Sequence, residues 1–116
     1  MKRKFEQYLN DILECISKIQ KYTKTQDFIK FKKSDITIDA VLKNLLIIGE
    51  ASSQLQTEIK EKYTNIPWKF IIDFRNVGIH KYDSIKLEIV WDILENELPK
   101  LKKQVEEILE KEGKVK

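Results

Sequence analysis

The chain is poor in the residues that build metal and disulfide sites: it has one cysteine, Cys15, and one histidine, His80. A lone cysteine closes no intramolecular disulfide and suits a reducing compartment. One cysteine and one histidine cannot complete a zinc site from protein ligands, so metal-dependent chemistry has little support and no cofactor is expected. No apolar run approaches the roughly 18 residues a membrane span needs. No N-terminal stretch passes from basic to apolar as a secretory leader does, so a non-membrane, cytoplasmic protein is expected. There is no internal repeat, no low-complexity tract and no period-two alternation, which argues against strands.

Arginine is also scarce: of the 22 basic residues only Arg3 and Arg75 are arginine. Placing one of them in a mostly apolar segment suggests a need for the planar guanidinium fork, which binds phosphate bidentately as lysine does not. A structural ion pair or chance retention is the competing reading. The net charge of +3 is too small to mark a dedicated polyanion clamp, so any nucleic-acid contact must be local. At 116 residues, residues 1–116 form a single domain with enough chain for one core. Its 41% apolar residues are periodic, so the 35% charged fraction belongs to amphipathic helix surfaces and not to disorder.

The periodicity predicts an all-α antiparallel bundle of four to five helices. Phe5, Leu9, Ile12, Ile16 and Ile19 form one stripe on a helix over about 4–22. Thr25 is a candidate cap for a short helix carrying Phe28, Ile29 and Phe31. A long helix starts at Asp35 or Thr37, and its stripe runs from Ile38 through Ile48 to Leu55 and Ile59. Gly49 and Ala51 lie in its middle, where small side chains let another helix approach. Asn65 or Ile66 caps the next helix, with Pro67 near its first position. That helix, about 67–78, is apolar nearly all round and reads as central to the bundle. The last long helix starts after Asp83 or Ser84 and carries Leu87, Val90, Leu94, Leu101, Val105 and Ile108. Pro99 should bend or divide it near Glu97–Leu98, and the charged tail from Lys111 to Lys116 should fray.

The chemistry concentrates in Arg75-Asn76-Val77-Gly78-Ile79-His80-Lys81-Tyr82. Residues 75 and 80 are five apart, so on one helix their side chains diverge by about 140°. Either the helix ends near Gly78, in the left-handed conformation glycine readily takes, and His80 swings back toward Arg75; or a second subunit supplies one of the two. Imidazole is the side chain suited to general acid–base work near neutrality, and it could take the proton from a ribose 2′-hydroxyl. Arg75 would hold the adjacent phosphate and stabilise its developing charge, with Asn76 contacting the phosphate or orienting His80. A solvent-exposed helix-end histidine with no catalytic part is the plain alternative. Glu50, beside the apolar stripe of the long helix, is placed to pair with Arg75 or His80, or to be a solvated surface glutamate.

This segment resembles the Arg-x4-His-x-Tyr signature of HepT-type toxins in the HEPN superfamily. The likeness extends to Tyr8-Leu9-Asn10-Asp11-Ile12-Leu13-Glu14, Ile47-Ile48-Gly49-Glu50-Ala51, Ile66-Pro67-Trp68, Leu87-Glu88-Ile89-Val90-Trp91-Asp92 and Leu98-Pro99, in order along nearly the whole chain. The resemblance implies a helical, homodimeric, metal-independent endoribonuclease, a toxin paired with a minimal nucleotidyltransferase antitoxin, with tRNA among its targets. It implies that Arg75 and His80 are catalytic, that Asn76 is the polar residue after the arginine, and that Tyr82 is the tyrosine the antitoxin modifies by adding AMP. Val77-Gly78-Ile79 stands where many relatives carry a basic residue and no glycine, which leaves the site less basic. The competing expectation is a non-catalytic module that binds a nucleotide or serves only as the nucleotidyltransferase's target.

Overall fold

The computed structural model describes residues 4–113, and of Tyr82 the backbone alone. The order is α1 (Phe5–Thr23), α2 (Phe28–Lys33), α3 (Asp35–Gln54), α4 (Thr57–Lys62), α5 (Trp68–His80), a 3-10 turn (Tyr82–Ser84), α6 (Leu87–Asp92), a π-helical turn (Ile93–Glu97) and α7 (Leu98–Gly113). Among the described residues there is no strand, and no helix is long and apolar enough to cross a membrane.

The core is built from stripes visible in the sequence. Leu9, Ile12, Ile16 and Ile19 of α1 are fully buried against Val41, Leu42, Leu45 and Ile48 of α3 and against Leu101, Val105 and Ile108 of α7. Cys15 joins this layer, and burial pushes its thiol up to about 11. Among the described residues, the buried polar side chains Asn44 and Ser52 are satisfied locally: Asn44 donates to the Ala40 carbonyl and Ser52 to the Ile48 carbonyl, both at 2.8 Å. Phe31 of α2 closes one end by packing on Trp91, with ring centroids 5.1 Å apart. Tyr63 and α7 are joined near the chain's end, where the Tyr63 hydroxyl donates to Glu112 at 2.5 Å and Lys62 pairs with the same carboxylate at 2.7 Å.

Helix boundaries differ from expectation where capping chemistry decides them. Asp27, not Thr25, caps α2 by accepting the Lys30 N–H at 2.8 Å. Ser34, not Asp35 or Thr37, caps α3 by accepting the Thr37 N–H. Both sit in extended backbone just before the first turn, as a cap must. The stripe expected to run unbroken through Ile59 is interrupted, because Leu55 and Gln56 are extended and the chain restarts as α4. Leu55 and Ile59 are buried all the same, so the break leaves the apolar spacing intact. Pro67 itself takes the cap position of α5. The segment around Asp83 and Ser84 forms the 3-10 turn, and α6 starts only after Lys86.

Pro99 acts near its expected place. It lacks the N–H and crowds the carbonyl four residues back, and the helix answers with the π turn, in which the Leu98 N–H reaches the Ile93 carbonyl. The helix widens without dividing and continues through Gly113, so residues 111–113 of the tail expected to fray are helical, and residues 114–116 lie outside the described residues.

The fold departs from expectation most at α5. This helix packs chiefly along α3 and leaves Phe70, Val77 and Ile79 about half exposed, so it lies at the edge of the bundle and not at its centre. Its apolar circumference exceeds what one neighbouring helix can cover.

Candidate active site

Two glycines set the distance between α3 and α5. A Cβ on Gly49 would collide with the Cβ of Arg75 and come within 3.1 Å of the Ile71 carbonyl oxygen. A Cβ on Gly78 would collide with a terminal methyl of Leu46. Residue 49 thus faces 71 and 75 while 46 faces 78, so the two helices run antiparallel in close contact. Gly49 performs the small-residue role its position suggests.

Gly78 does something other than expected. It is buried within α5, no described glycine has a positive φ, and the helix runs on through His80, whose successor Lys81 closes it by an N–H bond of 2.7 Å to the Val77 carbonyl. A glycine that ends a helix and a glycine that admits a neighbouring helix look alike in sequence; here the second role holds. Arg75 and His80 therefore sit on one continuous helix, and at 100° per residue their side chains leave it about 140° apart. Within a single chain, the turn that would have brought them together does not form.

The guanidinium of Arg75 is fixed from two sides. Its Nη2 pairs with Glu50 Oε1 on α3, and its Nη1 donates to the Asn76 side-chain oxygen at 2.9 Å. Glu50 is held in turn, since Gln54 Nε2 donates to its other oxygen at 3.1 Å. Arg75 is 29% exposed, so part of the fork faces solvent. A guanidinium has five N–H donors, and among the described residues these contacts occupy two of them.

His80 is exposed at the C-terminal end of α5, and Asn76 is exposed one turn before it. Four residues apart, these two share a helix face. Asn76 thus touches Arg75 through its oxygen and lies on the face of His80. The backbone of Tyr82 opens the 3-10 turn two residues beyond His80, and its side chain lies outside the described residues. Among the described residues no group of three or more His, Cys, Asp or Glu side chains could hold a metal ion.

The structure thus brings together Arg75, Asn76 and Glu50, and sets the His80 side chain at an angle to that of Arg75. Gln54 is the member of this polar chain that no motif reveals. Its spacing of four from Glu50 on one helix is the only sequence signal for it. A separate apolar groove of about 230 Å³ runs between α5 and α7, lined by Phe70, Ile71, Phe74, Ile93, Leu98 and Leu101 among others. Neither Arg75 nor His80 lines it.

Comparison with known proteins gives a consistent picture. The family model described as "Ribonuclease HepT-like" matches residues 12–108. The chain is 39% identical to "Putative RNase MJ1380" of Methanocaldococcus jannaschii, over 90% of this chain and 96% of that protein. It is 33% identical to "Probable ribonuclease HepT" of Thermococcus cleftensis, over 93% of this chain and 98% of the relative. It also matches "Gamma-glutamylcyclotransferase and putative RNase MJ0434" of Methanocaldococcus jannaschii at 39% identity, where it spans half of that longer protein's length. No solved structure matches.

Proposed function

The chain belongs to the ribonuclease HepT-like family, and from that premise we propose that it is a metal-independent endoribonuclease toxin whose site is built from Arg75 and His80. The observation that carries this reading is an arginine fixed at a helix–helix contact, still partly exposed, on the same helix as an open histidine. The arginine would bind the scissile phosphate and stabilise charge developing on its oxygens. The histidine would take the proton from the neighbouring 2′-hydroxyl, whose oxygen attacks phosphorus as the bond to the departing 5′-oxygen breaks. Asn76 would add a neutral contact to the phosphate between them. Transfer RNA is the substrate class the family suggests, and the cytoplasm is where it would be met.

The divergence of Arg75 and His80 supports a site completed by a second copy of the chain. The outward residues of α5 support the same arrangement: Phe70 and Val77, seven apart on one helix, are about half exposed, and Phe70 also lines the apolar groove. A symmetric dimer burying that stripe would set His80 of one subunit against Arg75 of the other, twice per dimer. Silencing would fall to a nucleotidyltransferase antitoxin that places AMP on Tyr82, adding a bulky anion next to the phosphate site and engaging Arg75.

The test is expression of wild type, His80→Ala and Tyr82→Phe without a partner, followed by growth and by the integrity of total RNA. Wild type should arrest growth and cut RNA, His80→Ala should do neither, and Tyr82→Phe should stay toxic when the nucleotidyltransferase is added. Intact RNA with wild type and His80→Ala alike would refute the enzyme reading and favour an adaptor.

A further inference from the structure

We infer that α3 supplies a cradle which orders Arg75 before substrate arrives, with Glu50 and Gln54 as its positioning residues. The inference rests on the reading of Arg75 as the phosphate-binding residue.

The cradle has a floor and a head. Gly49 is the floor: with no Cβ, it lets the Cβ and Cγ of Arg75 lie directly against the α3 backbone. Glu50, the next residue, is the head, and its carboxylate takes the Nη2 end of the guanidinium. Gln54, one turn further along α3, donates to the second carboxylate oxygen at 3.1 Å, so that Glu50 cannot rotate freely away from the arginine. Asn76 accepts from the Nη1 end at 2.9 Å. Stem and both terminal nitrogens are therefore defined, although Arg75 and Glu50 are 29% and 47% exposed.

That arrangement bears on catalysis more than on stability. An ion pair this exposed contributes little to folding. A free arginine side chain, by contrast, carries large rotamer entropy, which must be lost as it closes on the charge that develops in the transition state. Fixing the fork beforehand moves that loss out of the reaction, which raises the rate of the chemical step. The carboxylate also has an opposite effect on binding. It competes with a phosphodiester for the same guanidinium and repels it, so it should weaken ground-state RNA affinity. A positioning role for Glu50 therefore has a distinctive signature: its removal lowers kcat and leaves KM unchanged or reduced.

Purified wild type, His80→Ala, Glu50→Ala, Glu50→Gln and Gln54→Ala would be assayed for cleavage of end-labelled total tRNA, with thermal melts recorded in parallel. Glu50→Ala should lower kcat roughly 10- to 100-fold, the range for a misplaced catalytic group, with apparent KM unchanged or lower. Glu50→Gln keeps an acceptor without the charge and should fall between Glu50→Ala and wild type. Gln54→Ala should lower kcat by a few fold, with melting temperatures close to wild type throughout. Wild-type kcat in Glu50→Ala, or a rise in KM with kcat unchanged, would overturn the inference while leaving the ribonuclease reading in place. A kcat loss that merely tracks a fall in melting temperature would also overturn it. Uncleaved tRNA with wild type and His80→Ala alike would refute the site reading itself, and the cradle with it.

Discussion

Replacing Gly49 by alanine tests the close approach of α3 and α5 with a single methyl group. The new Cβ would collide with the Arg75 Cβ and lie 3.1 Å from the Ile71 carbonyl oxygen. Both obstacles belong to or adjoin the α5 backbone, so no side-chain rotation relieves them and the helix must move. Overpacking of this kind costs up to about 3 kcal/mol, and alanine returns about 1 kcal/mol in helix propensity, so the expected net loss is about 2 kcal/mol. At about 4 °C per kcal/mol for a domain of this size, the melting temperature should fall by about 8 °C. Gly78→Ala is the internal control. Its obstacle is a terminal methyl of Leu46, a half-buried side chain that can turn aside. Clash and propensity should then nearly cancel, leaving melting within about 2 °C of wild type. Far-UV circular dichroism melts of the three proteins decide the matter. If Gly49→Ala melts with wild type, or both variants fall equally, the helices do not approach as described and the floor of the arginine cradle is wrong.

Three further outcomes are expected. Phe70→Asp places a charge in the outward stripe of α5; it should lower the sedimentation mass toward that of a monomer and abolish cleavage, while leaving helix content intact. Asp27→Ala removes the side-chain cap of α2 and should cost about 1 kcal/mol in denaturant unfolding, with the slope unchanged. Tyr63 is raised from 10 to about 12, by burial first and then by its hydrogen bond to Glu112. A raised value favours the protonated form in the folded state, so this contribution is complete below pH 10 and is lost as pH climbs toward 12. Tyr63→Phe should therefore flatten the alkaline fall of stability across that window; an unchanged profile would show that the latch to α7 is not formed in solution.

How far the sequence alone reaches depends on which force decides each feature. The stripes of α1, α3 and α7 are legible because burial imposes helical spacing over many residues. Caps are legible only to within a few positions, since Thr25, Asp27, Ser34, Asp35 and Thr37 are all chemically able to cap and backbone conformation selects among them. The break after Gln54 is hidden, because Leu55 and Ile59 keep their spacing across it. Gly78 misleads because the same residue serves helix ends and helix contacts. An all-round apolar helix reads as a central one, although a helix at the bundle edge can have the same composition, and α5 leaves Phe70, Val77 and Ile79 about half exposed. At the site, the motif singles out Arg75, Asn76, His80 and Tyr82, and the spacing of 75 and 80 exposes their divergence. Gln54 reads in sequence as one more surface glutamine, and only the ion pair of Glu50 with Arg75 sets it apart.

Subunit complementation tests most directly the proposal that Arg75 of one subunit works with His80 of another. Arg75→Ala and His80→Ala proteins, each inactive alone, would be mixed, dissociated and reassociated before RNA cleavage is measured. In a symmetric dimer, half of the assemblies are mixed and each carries one intact site of its two, so about a quarter of wild-type activity should return. If each subunit holds a complete site of its own, the mixture will stay as inactive as its parts, and the shared-site account is wrong.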